Sequence, residues 1–326
     1  MKKIKIILLL LAVVFLLLTP ASLLHADTNS KEIQLSLPDK RWSLSINLPD
    51  FKIEKAEFNK DVTGRMLYAT NSRSGVIISI FLEKATFKGD SKACREYYWD
   101  KVKKSLFQKD NIRFSEIGEM ACVEFMVKSF QGIPVNQKNL FAYLAKDDVC
   151  INIHLSKTTF THKDEELFNS ILKSVNFTEN YIPTWYDYFV FGSEFYLNKN
   201  YQKAIQYYEK LLELEKKNRQ IERDIWRILV DNLGMAYGIS GNLSKAKETF
   251  EYGIANDKTY PLFYYNLACT YAEMNDLDNT IDNLQKAFSY KQNMIEGEQM
   301  PNPKTDSSFA KFMKNEKFLA ILETLK

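Results

Sequence analysis

Glycine and proline are scarce in this chain, 11 and 8 of 326 residues, which excludes a collagen-like or long low-complexity tract. Histidine is scarcer still, with only His25, His154 and His162. No His-Glu-x-x-His, Gly-x-Ser-x-Gly or glycine-rich phosphate loop occurs. Catalysis therefore has no local signature, and neither an enzymatic activity nor a cofactor or metal is expected. His154 shares a strand face with Asn152 and Ser156, opposite Ile151, Ile153 and Leu155, as in a half-exposed strand. The acidic run Asp164-Glu165-Glu166 falls in the first turn of a helix, where it favours the dipole.

Excess charge of one sign is missing too. The formal net charge is +3, and Lys2, Lys3 and Lys5 account for it. Without them 41 basic residues face 41 acidic ones, so no net field draws in a polyanion and nucleic acid is not expected as a partner. The four cysteines, Cys94, Cys122, Cys150 and Cys269, fit neither a zinc site nor a Cys-x-x-Cys redox motif. Their spacing favours small buried hydrophobes, and export would allow one bridge among the first three.

Apolar runs are short except for Ile6 to Leu18, which follows the basic Met1-Lys2-Lys3-Ile4-Lys5 and precedes Pro20 and Leu24-His25-Ala26. That order reads as an export signal over residues 1–26, cut after Ala26. The run falls short of the roughly 20 residues of a bilayer span. No cysteine adjoins the cut to carry a lipid. The expectation is a periplasmic or secreted protein with no stable membrane span after cleavage.

The first half alternates with period two. Ile33, Leu35 and Leu37, then Trp42, Leu44, Ile46 and Leu48, flank the turn Pro38-Asp39-Lys40. Met66 to Thr70 and Val76 to Leu82 make a second pair. A helix is predicted from about Asp90 to Gln108, with Cys94, Tyr98, Val102 and Leu106 on one stripe. Strands return at Met120 to Val127, Leu140 to Ala145 and Val149 to Leu155. A last helix opens with Thr161 and Asp164 at capping-box spacing. This order predicts an α+β domain over residues 31–178, an antiparallel sheet with packed helices. With its late Ile-His-Leu-Ser strand running into Asp164-Glu165-Glu166-Leu167-Phe168, it resembles PsbP-like domains. That resemblance implies a binding or assembly role rather than catalysis.

The second half repeats. Tyr188, Phe191-Gly192, Phe195, Ala204 and Tyr208 recur as Val230, Leu233-Gly234, Tyr237, Ala246 and Phe250. They recur again as Tyr264, Leu267-Ala268, Tyr271, Thr280 and Leu284. The last two registers lie 34 residues apart and the first two 42, an excess of eight within Lys216 to Arg223. Turn signals recur in step at Lys199-Asn200, Gly241-Asn242 and Asn275-Asp276. The pattern resembles the tetratricopeptide repeat, about three copies over residues 185–290, in which small residues let paired helices approach. An amphipathic segment over residues 300–326 suits a cap on the last apolar layer.

The resemblance implies an all-α array whose first helices line a groove. It places Tyr186, Phe189, Ser193 and Tyr196 there, then Asp231 and Met235, then Tyr265, Cys269 and Glu273. The subclass that grips a terminal carboxylate would need Phe189, Ser193, Asn232, Leu262 and Asn266 to be polar in its own way. Only Asn232 fits. Apolar anchors favour an amphipathic helix or extended peptide, although aromatics at helical spacing also fill cores. The expected function is an exported adaptor or assembly factor binding a protein or peptide. Two alternatives are an enzyme or small-ligand receptor using the first domain's sheet, and a self-association module.

Overall fold

A computed structural model describes residues 32–105 and 107–325. The export-signal segment and Leu106 lie outside the described residues. The chain divides into two compact units at Ile182 and Pro183.

The first unit runs β1 (Glu32–Ser36), β2 (Trp42–Asn47), β3 (Lys52–Phe58), β4 (Arg65–Asn71), β5 (Val76–Lys84) and α1 (Ser91–Val102). It continues with β6 (Asp110–Ile117), β7 (Met120–Phe130), β8 (Ile133–Lys146), β9 (Val149–Lys157), α2 (Lys163–Lys173) and β10 (Asn176–Glu179). Seven strands form one antiparallel sheet in the order β3-β4-β5-β9-β8-β7-β6. Helix α1 covers one face through Cys94 and Trp99, against Val123, Phe125 and Tyr143. On the opposite face, Ile78, Ile80, Ile151 and Ile153 share a core with Phe168, Ile171 and Leu172 of α2.

The α+β class of this unit holds, but the sheet count differs from the sequence-based expectation. Strands β1, β2 and β10 make a second, three-stranded sheet. Strand β2 is buried at Trp42, Ser43, Leu44, Ser45 and Ile46, so it lacks the wet face that alternation predicts. Its serines are small enough to lie inside, and Gln34 Nε2 donates to Ser43 Oγ at 2.8 Å. Three strands, β3, β6 and β10, carry no clean alternation and were not foreseen.

Helix α1 stops at Val102, short of the expected Gln108, because the lysines that follow offer no apolar stripe. Helix α2 begins one residue later than a Thr161 cap requires. Thr161 instead donates its N–H and hydroxyl to Asp164 Oδ2, at 2.8 and 2.9 Å. Cys94 and Cys150 form a disulfide that ties α1 to β9. Two of the cysteines are thus not the free hydrophobes favoured above. Cys122 and Cys269 remain free.

The second unit is an all-α array: α3 (Trp185–Leu197), α4 (Tyr201–Lys217), α5 (Arg223–Ile239), α6 (Leu243–Asn256), α7 (Pro261–Glu273) and α8 (Leu277–Ser289). Short 3-10 helices at Lys291–Asn293 and Ser307–Phe312 lead to α9 (Glu316–Thr324). Each hairpin turns in the same way. Lys199, Gly241 and Asn275 adopt φ of 63°, 85° and 64°, and the next residue caps the second helix. Asn200, Asn242 and Asp276 accept from the backbone N–H of Lys203, Lys245 and Asn279.

The small residues lie where the helices touch. A methyl group on Gly192 would stand 2.6 Å from the Tyr208 ring, and one on Gly234 would stand 2.5 Å from the Phe250 ring. Both pairs span 16 residues. In the third hairpin the same spacing joins Ala268 to Leu284, so a smaller partner leaves room for the methyl. Most of the eight-residue excess is helical. Helices α4 and α5 have 17 residues each, whereas α3, α7 and α8 have 13. The added turn of α5 carries Arg223, which holds Asp257, the C-cap of α6 in the same hairpin, through two bonds of 2.8 Å. Arg227 Nε reaches the same carboxylate at 2.8 Å. Burial alone would raise the Asp257 carboxyl, and the two guanidiniums outweigh it, holding it well below the usual carboxylate range.

Candidate partner-binding face

The first helices of the hairpins touch one another along the stack, α3 on α5 and α5 on α7. They form the inner layer, so residues spaced three and four apart on them share one inner face. The nine residues expected there fall into two groups.

In the third hairpin, Tyr265, Cys269 and Glu273 form one stripe along α7; the chain's own C-terminal segment covers Tyr265 and Cys269, while Glu273 at the end of the stripe stays exposed beside Lys311. The Tyr265 hydroxyl donates to Asp306 Oδ2 at 3.0 Å, and its ring meets Phe309 edge-on at 5.9 Å. Cys269 Sγ lies 3.7 Å from the same Asp306 oxygen. Lys311 Nζ donates to the Glu273 carbonyl at 3.4 Å. Phe309, Phe312, Phe318 and Leu322 join Tyr265, Ala268 and Ala272 in one core. Upstream, the Tyr260 hydroxyl donates to Glu298 Oε1 at 2.7 Å, and Arg227 donates to the Asn293 carbonyl at 3.4 Å. Tyr265 and Cys269 are therefore not open groove positions, whereas Glu273 stays exposed at the rim of the segment. The sequence shows an amphipathic tail, but nothing in it singles out Asp306 as the residue that closes the stripe.

In the first two hairpins, Phe189, Ser193, Tyr196 and Asp231 are buried, while Tyr186 and Met235 are half-buried. Side chains expected on an open groove thus turn inward at four of these six positions. Part of the reason is polar pairing between neighbouring helices. The Tyr208 hydroxyl donates to Ser193 Oγ at 3.1 Å and accepts from Asn232 Nδ2 at 3.3 Å. Asn266 Nδ2 donates to Asp231 Oδ1 at 2.7 Å. Burial pushes the Asp231 carboxyl up to about 7. Burial first, and then the Asp231 charge, hold the Tyr196 phenol well above its ordinary value. The Tyr196 hydroxyl is buried and has no hydrogen-bond partner among the described residues. It is a donor and acceptor left over beside an acid that can hold a proton.

Elsewhere the chemistry is quiet. His154 stacks flat on Phe141 with ring centroids 3.9 Å apart, and its Nε2 lies 3.1 Å from Asn139 Oδ1. Burial lowers its pKa to about 4, which leaves a neutral imidazole on the sheet. Among the described residues, no group of three or more His, Cys, Asp or Glu is placed to hold a metal ion. No helix among them is long and apolar enough to cross a membrane.

Residues 188–218 and 262–294 match the model of the tetratricopeptide repeat. These are the first and third hairpins, and the second keeps the same Gly234–Phe250 contact. The helical unit is a tetratricopeptide-repeat array. No curated protein matches the chain. Among solved structures, MamA is 16% identical over 33% of this chain and 58% of its own, with a TM-score of 0.30. The chain thus spans little more than half the length of MamA. The tetratricopeptide domain of Sgt2 from Aspergillus fumigatus is 20% identical over 44% of this chain and 83% of its own, with a TM-score of 0.32. The type III secretion translocator chaperone SycD of Yersinia enterocolitica is 16% identical over 45% and 96%, with a TM-score of 0.31. At scores of this size the likenesses specify neither a partner nor an activity.

Proposed function

We propose that the protein is an extracytoplasmic adaptor or assembly factor without catalysis of its own, whose repeat unit holds a segment of another protein. Tetratricopeptide stacks present their first helices as an extended binding surface, and an amphipathic helix or extended peptide is the ligand such a surface fits. Most of the third hairpin's share of that surface, at Tyr265 and Cys269, is taken by the C-terminal segment. The partner's segment therefore lies along the first two hairpins, between Tyr186 and Met235.

The observation that carries this reading is the Tyr196 hydroxyl. A buried donor without a partner costs about 1–3 kcal/mol, and native structures seldom keep one without a use. A backbone carbonyl of a bound segment would satisfy it, with Asp231 beside it to receive an N–H. The test is a crosslinking pull-down from the cell envelope with wild type, Tyr196→Phe and Tyr186→Ala/Met235→Ala. Tyr196→Phe removes only the oxygen, so the repeat unit should be as stable as wild type or slightly more so, while capture of the partner falls. Equal capture by Tyr196→Phe and wild type would refute the assignment.

A further inference from the structure

The sheet unit carries an apolar tip that its own core does not use. Strands β7 and β8 outrun their neighbours. Pairing with β6 ends at Asp110 and Met126, and pairing with β9 ends at Lys138 and Lys157. Beyond these points the segment after β9 still reaches β8, Thr159 and Phe160 donating their N–H groups to the carbonyls of Val135 and Asn136 at 3.0 and 3.2 Å. Past them the hairpin continues alone to Phe130 and Ile133, which face each other across the turn Gln131-Gly132. Both turn residues have positive φ, 48° and 79°, the geometry of a tight two-residue hairpin turn. Phe130 is 45% exposed and Ile133 is 65% exposed. Phe107, 47% exposed in the loop after α1, lies 5.4 Å from the Phe130 ring. Three large apolar side chains thus crowd together at the end of a projecting hairpin, where water gains nothing from them.

Lysines adjoin this tip along the chain, Lys103, Lys104 and Lys109 around Phe107 and Lys128 before Phe130. Lys103 and Lys128 have carboxylates nearby, Asp100 and, at 3.9 Å, Asp110. Lys104 is exposed and makes no ion pair among the described residues, acting on Asp100 only at longer range. Among the described residues, Lys109 Nζ donates to the carbonyls of Ser105 and Phe107, at 3.1 and 2.8 Å, and lies 5.9 Å from the centre of the Phe125 ring, which sets its charge at the base of the apolar cluster. Four cations against two anions leave the chain beside the tip positive, although the protein without its first lysines is neutral.

The geometry points to an anionic lipid surface as the occupant: Phe107, Phe130 and Ile133 enter the interface between headgroups and chains, and Lys103, Lys104, Lys109 and Lys128 meet the phosphates. Small protruding apolar tips flanked by lysine bind in this way because burial and charge attraction act at the same depth. A protein pocket would ask for a satisfied polar rim, whereas Lys104 and Lys109 offer donors alone. The inference is independent of what the repeat unit holds.

The apolar run Ile6 to Leu18 could itself bind lipid, so the readout belongs at the tip. An environment-sensitive fluorophore is attached to Gln131→Cys in the full chain, with Cys269→Ser to remove the more accessible of the two free thiols and Cys122 left buried in the sheet unit. Vesicles of phosphatidylcholine with phosphatidylglycerol are titrated against vesicles of phosphatidylcholine alone. The expected result is a blue shift on the anionic vesicles only, weakened by salt. Lys104→Gln/Lys109→Gln should lower the apparent affinity about tenfold, and Phe130→Ser/Ile133→Ser about tenfold or more. All four side chains lie outside the core, so an unchanged far-UV spectrum shows that the unit still folds. The absence of a shift, or an equal shift on neutral vesicles, would overturn the inference. So would a shift without vesicles that grows with protein concentration, since a second copy would then be the occupant.

Discussion

Two buried side chains, one in each unit, give the protein opposite responses to pH. Asp231 has a folded-state pKa of about 7, above its unfolded value of about 3.9. The folded repeat unit therefore holds this proton more tightly. The resulting stabilisation is complete below about pH 4 and is lost as pH rises through 7. Glu298, which also faces this region and is raised by burial, adds with the same sign. His154 in the sheet unit is depressed to about 4, so its contribution is present above about pH 6.5 and is lost as pH falls toward 4. Chemical denaturation followed by the helical far-UV signal should show the repeat unit losing stability between pH 5 and 8. Asp231→Asn, which keeps an oxygen to accept from Asn266, should remove most of that slope, on the order of 3 kcal/mol. An unchanged slope in Asp231→Asn would mean that the carboxyl is ionised throughout.

Helix pairing shows what the sequence could convey and what it could not. Gly192, Gly234 and Ala268 are legible as close-approach points because they recur in register with Tyr208, Phe250 and Leu284. The structure adds that the two members of each pair are matched in size. Gly234→Ala should destabilise the repeat unit by about 1–3 kcal/mol, since the new methyl meets the Phe250 ring. Combining it with Phe250→Leu, which copies the third hairpin, should recover part of that loss in a double-mutant cycle. Simple additivity would show that the two sites are uncoupled.

The turns were legible for the same reason, because Lys199, Gly241 and Asn275 stand in step. By contrast β3, β6 and β10 were not, since all three are edge strands and obey no strict alternation. The groove was legible only as a set of positions. Whether Tyr265 faces a partner or the chain's own Asp306 depends on where a non-repeating tail folds back, and periodicity carries no information about that.

At the scale of the molecule, the protein joins a disulfide-tied β-rich unit to a short repeat array that is already capped at one end. The cap divides the inner face into a third hairpin closed at Tyr265 and Cys269 and two hairpins whose polar groups are not all satisfied. This division is the feature that sets where a partner can lie. A photo-reactive residue placed in turn at Met235, at Glu273 and at the exposed Glu251 of α6 reads it directly, with adducts identified by mass spectrometry. Adducts to another protein from Met235 and none from Glu251, with Glu273 linking only to the chain's own residues near Lys311, are the predicted result. Partner adducts from Glu273 or Glu251 in preference to Met235 would contradict it.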